Sequence, residues 1–333
     1  FKNGDLNELP RPFVVSAVFQ KYGVKNANGR IYPEEILKRE IDKYQQVIRE
    51  RRGFGECYTP DVLCLTEDGW KTLKDVKKGD KVLSLNVETK EIEISTVEEK
   101  ISHHYKGDMF RIKGRDMDDL VTPGHKFPVF RNDKFIDFYT VKEISDENFS
   151  SHNTLYKNGI WKESGENVFI LKGIDNPDKR TLNSHPFCTE DVEIPMSTFM
   201  KFMGIYLSEG FFSKKSNRVA VSQKKEENCI LIEELFKEMP FDYKVVNFKS
   251  GKKDFVICDP RLYNYVKPLG KCYDKYVPIE IKKQSKENLR IFYDWFVLGD
   301  GRKRTKKTDD VFSSSKRLSL DLNEIQLKIG YNG

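Results

Sequence analysis

Residues 202–210 read FMGIYLSEG, and residues 293–301 read YDWFVLGDG. Each stretch is an apolar helical run that ends in an acidic residue and a glycine. The same parts follow each stretch in the same order: a basic turn, a short strand, a Ser/Lys turn and a helical run, over residues 226–239 in one copy and 318–329 in the other. An internal repeat of this kind predicts two similar α+β units in one chain.

The two apolar runs are expected to pack side by side as helices. Close packing needs small residues where the backbones approach, and Gly204 and Gly299 can supply them. Both helices then end at one level, which brings Glu209 and Asp300 together. Carboxylates, water and phosphate oxygens are ligands that suit Mg²⁺, and such an ion can promote phosphodiester hydrolysis. One acid after one apolar helix would be an ordinary helix end, whereas two matched copies favour a site.

Positive charge is concentrated in the last part of the chain. Lys and Arg counted against Asp and Glu give 31 minus 34, or −3, for residues 1–200, and 27 minus 18, or +9, for residues 201–333. This distribution is typical of a protein with a polyanionic partner, most simply nucleic acid. A solvated lysine-rich surface is the alternative that charge alone leaves open.

An apolar nonamer that ends in acid-Gly and occurs twice resembles the LAGLIDADG, or DOD-type, homing endonucleases, which are commonly inserted within inteins. The resemblance implies a monomeric α+β pseudo-dimer that lays two saddle-like sheets on double-stranded DNA and holds Mg²⁺ at Glu209 and Asp300. Lys275, ahead of the second helix, matches the position of a catalytic-site lysine. Trp295 stands where the family often has a small residue, so we expect it to loosen or shift the helix interface. The cations expected on the saddle are Lys214, Lys215, Arg218, Arg302, Lys303, Arg304, Lys306 and Lys307.

A different pattern begins at Cys57. Residues 57–83 read CYTPDVLCLTEDGWKTLKDVKKGDKVL, in which short apolar runs lie between Asp-Gly and Gly-Asp turns. These turns predict a small all-β fold. Residues 120–127 read LVTPGHKF. The leading Cys, the strand, the Gly-Asp-x-Val element and the later Thr-x-x-His resemble the first two blocks of inteins, in the Hedgehog/intein (HINT) fold.

The resemblance to inteins implies a role for each block residue. In the family's first step, a thiol attacks the carbonyl group before it and turns an amide into a thioester, without a cofactor. Carried over by position, Cys57 is the nucleophile, Glu56 supplies the scissile carbonyl, His125 protonates the departing nitrogen and Thr122 polarises the bond. A single Cys or His is more often structural. The joint occurrence of both blocks favours splicing.

The opening residues resemble a third family, the prohead core proteases of tailed phages. Residues 26–33 read NANGRIYP, an amphipathic helix is predicted over residues 34–51, and Gly55-Glu56 follows. In that family Gly-Glu leads shortly to a catalytic His-Pro pair, but here Cys57 follows instead. The resemblance therefore carries no catalytic residue, and we do not expect protease activity. It implies a phage-encoded chain in the cytoplasm of an infected bacterium.

These patterns predict a multidomain α+β chain. The expected parts are an N-extein with a partial protease-like domain (1–56), an incomplete all-β HINT splicing subdomain (57–140), a linker or further HINT or DNA-contact region (141–195) and an endonuclease unit that is incomplete at its end (196–333). The last intein blocks do not appear by Gly333, so we expect the intein's C-terminal segment and the C-extein to be missing partners. No apolar run approaches the roughly 20 residues of a membrane span, so no membrane partner is expected.

Three functional hypotheses remain open. The first is an active intein with a DNA-cutting insert. The second is a degenerate element that binds DNA but neither splices nor cuts. In the third, the role of the chain is that of the host protein, the capsid-maturation protease.

Overall fold

The computed structural model describes residues 33–35, 38–39, 57–100, 102, 105, 107–113, 118–132, 134–146, 149–155, 159–214, 217–305 and 308–331, without the side chains of 303–305 and 308. Most of the protease-like segment lies outside these ranges, as do Glu56, Lys215, Lys306 and Lys307. Within the helix predicted over residues 34–51, positions 34, 35, 38 and 39 are helical, and Lys38 pairs with Glu34 at 2.6 Å.

The chain after Cys57 forms an antiparallel sheet of four short strands. They are β1 (Leu63–Thr66), β2 (Gly69–Thr72), β3 (Lys81–Leu85) and β4 (Ile92–Thr96), in the order β2-β1-β3-β4. Both predicted turns are present: Gly69 and Gly79 have φ angles of 109° and 92°, a region that favours glycine.

The next strands form two further antiparallel sheets. β5 (Phe110–Lys113) pairs with β6 (Asp118–Val121), and β7 (Lys126–Arg131) lies between β8 (Lys134–Thr140) and β9 (Asn153–Leu155). Helix α1 (Val141–Ile144) follows β8 and begins with a capping box between Thr140 and Glu143. Val121, Phe127 and Val141 form a small core. The segment is rich in antiparallel strands, as a small all-β fold requires, but the strands lie in separate sheets in the described residues, and a complete HINT fold is not shown.

Two helices form the centre of the largest core. α3 (Met196–Glu209) and α7 (Lys286–Asp300) are the two apolar runs of the repeat, and they pack against each other. Phe202, Tyr206, Phe292 and Phe296 are fully buried in the core around them. Complete burial of such side chains stabilises the fold by about 1.5–3 kcal/mol each. No helix in the described part of the chain has both the length and the apolar character that crossing a membrane requires.

The first copy of the repeat builds a four-stranded antiparallel sheet after α3. Its order is β12-β13-β15-β14. The sequence order is β12 (Gly210–Ser213), β13 (Arg218–Gln223), α4 (Glu226–Glu238), β14 (Tyr243–Asn247) and β15 (Lys253–Cys258), followed by α5 (Pro260–Val266) and a 3₁₀ turn (Lys267–Leu269).

The second copy is smaller than the first. It has the hairpin β16 (Gly301–Thr305) and β17 (Thr308–Val311), followed by α8 (Lys316–Ile329). Of the two expected saddle-like sheets, the described residues form a four-stranded sheet in the first copy and a two-stranded hairpin in the second, in a unit that was expected to be incomplete at its end. In the first copy β15 and β14 follow α4 and add two strands beside β13, whereas the described residues after α8 extend only to Tyr331.

Residues 141–195 are divided between two parts of the molecule. Residues up to β9 belong with β7, whereas Trp161, β10 (Val168–Leu171) and β11 (Val192–Pro195) lie against the large core. β10 and β11 pair with each other, and α2 (Lys179–Ser184) lies between them in sequence. β11 runs directly into α3, so this stretch supports the first repeat helix.

The sheet of β1–β4 lies against α8. The Trp70 indole nitrogen donates to the Leu320 carbonyl oxygen at 2.8 Å, and Lys283, just after α6 (Ile279–Lys282), pairs with Glu67 at 3.1 Å. Beside this contact, the buried Lys282 ammonium donates to the Asp321 and Glu324 carboxylates, both at 3.0 Å. The N-terminal sheet and the repeat unit are therefore in direct contact.

Candidate functional site

The repeat helices approach each other closely at their glycines. A Cβ on Gly204 would lie 2.9 Å from the Trp295 Cβ and 3.0 Å from the Phe296 nitrogen. A Cβ on Gly299 would lie 2.8 Å from the Glu209 Cγ. A hydrogen atom is therefore all that fits at either position. The expected loosening by Trp295 is not observed, because its Cβ occupies the space that Gly204 leaves.

Glu209 and Asp300 are the last residues of α3 and α7. Both are half-buried. Burial raises the pKa of the Glu209 carboxyl, and the Asp300 charge raises it further, whereas Lys275 and Gln223 partly oppose the shift. Burial also raises the pKa of Asp300, against the attraction of Lys275. The structure therefore brings the two predicted acids together as a like-charged, partly desolvated pair.

Lys275 lies beneath this pair and is 5% exposed. Its ammonium donates to the carbonyl oxygens of Tyr206 and Leu207, both at 3.0 Å, and of Gly210 at 2.8 Å. These carbonyls lie at the C-terminal end of α3 and at the first residue of β12, where the helix ladder of backbone hydrogen bonds ends. Burial lowers the pKa of Lys275 to about 8, against the attraction of Asp300, Cys272 and Glu209. All three hydrogen atoms of the Lys275 ammonium are thus donated to backbone carbonyl oxygens, and they fix the end of the helix that carries Glu209.

Gln223, at the end of β13, is a site residue that the sequence did not reveal. Its side-chain oxygen accepts from the Lys224 and Lys225 nitrogens at 2.8 and 3.1 Å, which orients the amide. The amide nitrogen is consequently directed at the Glu209 Oε1, at 3.4 Å. The sequence signal that could have identified Gln223 is its position at the end of β13, because β13 pairs with β12 and so comes back beside Gly210 and Glu209.

The donor set at the helix ends fits a divalent cation bound partly by water or substrate. No group of three or more His, Cys, Asp and Glu side chains in the described residues is arranged to hold a metal ion. Glu209 and Asp300 instead offer two carboxylates, the hard oxygen ligands that Mg²⁺ prefers while it keeps several waters. Burial raises the pKa of both carboxyls, and the Asp300 charge adds to the shift at Glu209, so a bound cation would favour the ionised pair.

One face of the four-stranded sheet is turned away from the core. Val219, Val221, Phe255 and Ile257 point into the core, so the alternate residues of β13 and β15 form the opposite face, called here the open face. Arg218 lies on the open face and is one-third exposed. Its guanidinium donates to the Asp254 carboxylate at 3.2 Å and lies 5.6 Å from the centre of the Phe211 ring.

The other predicted saddle cations are distributed around both hairpins. Lys214 is exposed just after β12, and Arg302 is exposed in β16. Lys303 and Arg304 lie in β16, where the structure describes only their backbone. Lys215, Lys306 and Lys307 fall outside the described residues.

The second predicted site is assembled by a contact between Cys57 and the end of β6. The Cys57 nitrogen donates to the Thr122 Oγ1 at 3.0 Å, and the Thr122 nitrogen donates to the Cys57 carbonyl oxygen at 3.1 Å. Thr122 is 1% exposed. The Thr122 hydroxyl therefore contacts the nitrogen atom of the predicted scissile bond between Glu56 and Cys57. The carbonyl group of that bond belongs to Glu56, which lies outside the described residues.

His125 lies beside the same contact. Its ring centroid is 4.1 Å from that of Tyr58 and 4.7 Å from that of Phe127, both with edge-on geometry. The His125 nitrogen donates to the Thr122 carbonyl oxygen at 3.0 Å, which forms a tight turn between the two predicted residues. The structure thus brings Cys57, Thr122 and His125 into one region, although 65 residues separate the first two in sequence.

Three curated proteins with different names resemble this chain. They are an ATP-dependent Clp protease proteolytic subunit of Chlamydomonas moewusii (28% identical, covering 83% of this chain and 28% of the relative), an uncharacterized protein of Methanocaldococcus jannaschii (25%, 79% and 33%) and a DNA-directed RNA polymerase subunit beta C-terminal section of Stigeoclonium helveticum (24%, 79% and 25%). The chain therefore spans about a quarter to a third of these relatives. No family model matches it.

Comparison with solved structures gives partial similarity to homing endonucleases. The endonuclease I-WcaI bound to its DNA recognition sequence has a TM-score of 0.30 at 14% identity, over 47% of this chain and 77% of that chain. The endonuclease I-DmoI in complex with DNA and Ca has a TM-score of 0.24 at 15% identity, over 32% and 59%.

Proposed function

We propose that the repeat unit is a site-specific double-strand DNA endonuclease of the LAGLIDADG type, dependent on a divalent cation that is Mg²⁺ in the cell. One observation carries this proposal: Glu209 and Asp300 end two helices that pack at Gly204 and Gly299, and they form a half-buried acid pair at the start of both hairpins. The +9 charge of residues 201–333 supports a polyanionic substrate.

The reaction is the hydrolysis of one phosphodiester bond in each strand. A water oxygen bonds to phosphorus, the bond from phosphorus to the leaving sugar oxygen breaks, and that oxygen takes a proton. Glu209 and Asp300 hold the cation, which supplies charge stabilisation at the scissile phosphate when bound. Gln223 orients the Glu209 carboxylate, and Lys275 fixes the helix end beneath it. Lys214 and Arg302 hold the duplex through its phosphates.

The test compares the wild type with Glu209→Gln and Asp300→Asn on a pooled plasmid library of genomic and phage DNA in Mg²⁺. We expect recurrent double-strand breaks with the wild type, and at least a hundredfold loss in both variants with duplex binding retained. Glu234→Gln, an exposed change on α4, is the matched control. Binding without cleavage by the wild type would instead support the degenerate, DNA-binding element.

We also propose that the segment beginning at Cys57 carries out the first step of intein splicing. The contact of the Thr122 hydroxyl with the Cys57 nitrogen supports this second function, with His125 beside it. The Cys57 sulfur bonds to the Glu56 carbonyl carbon, the bond from that carbon to the Cys57 nitrogen breaks, and the nitrogen gains the thiol proton. The products are a thioester and a free amine, and no other reactant is needed.

The relatives support an inserted element. Parts of a Clp protease subunit and an RNA polymerase subunit, whose names describe unrelated activities, are similar to about four-fifths of this chain. A segment that recurs in proteins of unrelated function is expected of an intein. The host, by the resemblance of residues 26–56, is a phage prohead protease.

Release of residues 1–56 by dithiothreitol tests the splicing step, because a thiol intercepts the thioester. The wild type should release this fragment and Cys57→Ala should not. Equal release by both would contradict the assignment of Cys57.

A further inference from the structure

The open face of the four-stranded sheet contains a buried carboxylate. Asp254 is 3% exposed, although it points away from the core, and it pairs across the strands with Ser222 and Val246. It accepts from the Ser222 hydroxyl at 2.7 Å, the Lys252 ammonium at 3.1 Å and the Arg218 guanidinium at 3.2 Å. A buried carboxylate is stable only with such partners, so the three contacts hold the Asp254 side chain in a fixed position.

Asp254 determines where the Arg218 side chain lies. Arg218 is four residues before Ser222 on β13, so its side chain must extend along the strand to reach Asp254. Ala220 lies between them on the same face and is 0% exposed, as expected if the arginine covers it. Phe211 pairs with Ala220, and the guanidinium lies 5.6 Å from its ring centre. The flat guanidinium is thus held from two sides.

Part of this guanidinium still lacks an acceptor. The Arg218 Nε is buried without an acceptor, and the Asp254 carboxylate engages Nη2, so Nη1 and the second Nη2 hydrogen are the donors that remain for a ligand in the described part of the chain. The side chain is one-third exposed. An oriented arginine with donors to spare suits bidentate recognition of a planar acceptor edge.

The fixed orientation of the arginine, rather than its charge, distinguishes two kinds of acceptor. Arg218 and Lys252 together outweigh Asp254 by one positive charge, and any nearby cation can hold a phosphate. Two acceptors on one base edge instead require a planar pair of donors in a fixed orientation, and guanine presents N7 and O6 in the major groove. We propose that Arg218 reads a guanine of the DNA target and that Asp254 positions it. This rests on the proposed DNA-binding function, which it deepens by assigning a specificity-determining residue.

The experiment selects binders from a pool of randomised duplexes with the full chain, and compares the wild type with Arg218→Lys and Asp254→Asn. The wild-type motif should contain a guanine that both variants no longer prefer, with about a tenfold or greater loss of discrimination at that one position. Preferences elsewhere should stay. Lys244→Ala removes an exposed lysine from the same face and is the matched control, with the motif unchanged.

The two proposals fail in different ways. If Arg218→Lys weakens binding to every sequence equally and lowers the salt dependence, Arg218 is a phosphate contact and this inference is wrong. If it changes neither motif nor affinity, the inference is also wrong. If the wild type selects no duplex at all, the DNA-binding function itself fails. Arg218→Lys keeps the charge at the surface, so it tests the proposal even if Asp254→Asn does not fold.

Discussion

The Lys275 ammonium donates to the Gly210 carbonyl oxygen at 2.8 Å, immediately after the carboxylate residue Glu209. The same ammonium contacts the last turn of α3, and the Lys275 carbonyl accepts from the Ser315 hydroxyl at 2.7 Å, at the start of α8. One residue therefore links the end of the first repeat helix to the final helix of the second copy.

Replacement of Lys275 by Met should unfold the chain more easily and abolish cleavage. Three carbonyl groups where α3 meets β12 would lose a buried donor, although that of Tyr206 keeps another, from the Gly210 nitrogen, so we expect a loss of about 2–4 kcal/mol in the free energy of unfolding. Chemical denaturation measures this loss. Lys271→Met, at an exposed position four residues earlier, should cost little. Equal effects of the two changes would contradict the role of Lys275.

Removal of either acid should stabilise the metal-free protein at neutral pH. Both carboxyls have a pKa above the unfolded value, so the folded state keeps their protons to a higher pH. Their contribution to stability is therefore greatest at low pH and falls as the pH rises through the raised values. Asp300→Asn should raise the free energy of unfolding by on the order of 1 kcal/mol above that range.

Thermal unfolding with a chelator checks this prediction between about pH 4, where ordinary carboxyl groups have their pKa, and about pH 8, well above it. The advantage of Asp300→Asn over the wild type should grow with pH. A variant that is less stable than the wild type at neutral pH would show that the acids are not a repulsive pair.

Gly204→Ala should separate the repeat helices. The added methyl would overlap the backbone of α7 near Phe292 and Phe296, and overpacking of this kind costs about 1–3 kcal/mol. Cleavage should fall with stability, because the acids depend on the helix ends meeting. Ser197→Ala, on the exposed side of α3, is the control and should be neutral or slightly stabilising.

Thr122→Val should slow thioester formation at Cys57. The variant keeps the shape of the side chain but removes the hydroxyl that accepts from the Cys57 nitrogen. We expect about a 10²-fold slower release of residues 1–56 by dithiothreitol, the scale of one lost polar contact in a catalytic site. Thr66→Val removes another buried hydroxyl, which donates to the Gly69 carbonyl, and should leave release unchanged. Equal slowing by both would indicate general damage to the fold.

The repeat helices, their hairpins and the meeting of Glu209 with Asp300 could be predicted from the sequence. Apolar periodicity and the acid-Gly ends are local signals, and close packing at Gly204 and Gly299 follows from them. The meeting of Cys57 with Thr122 could also be expected, although only through the resemblance to inteins.

Other features depend on contacts that no local pattern encodes. The docking of Trp70 on Leu320 joins residues 250 positions apart through one hydrogen bond. The sequence suggests Lys275 only as a catalytic-site lysine, and its contacts with three backbone carbonyls depend on burial that no local pattern shows. Gln223 and Asp254 are ordinary strand residues in the sequence, and only the pairing of β13 with its neighbours gives them their partners.

The most direct test of the acid pair is a titration with Mg²⁺ in which double-strand cleavage is measured at each concentration. Mg²⁺ should increase double-strand cleavage of the plasmid library by the wild type, and Glu209→Gln with Asp300→Asn in one chain should abolish both the increase and the cleavage while duplex binding persists. Recurrent cleavage by the double variant at the same sites would contradict the account.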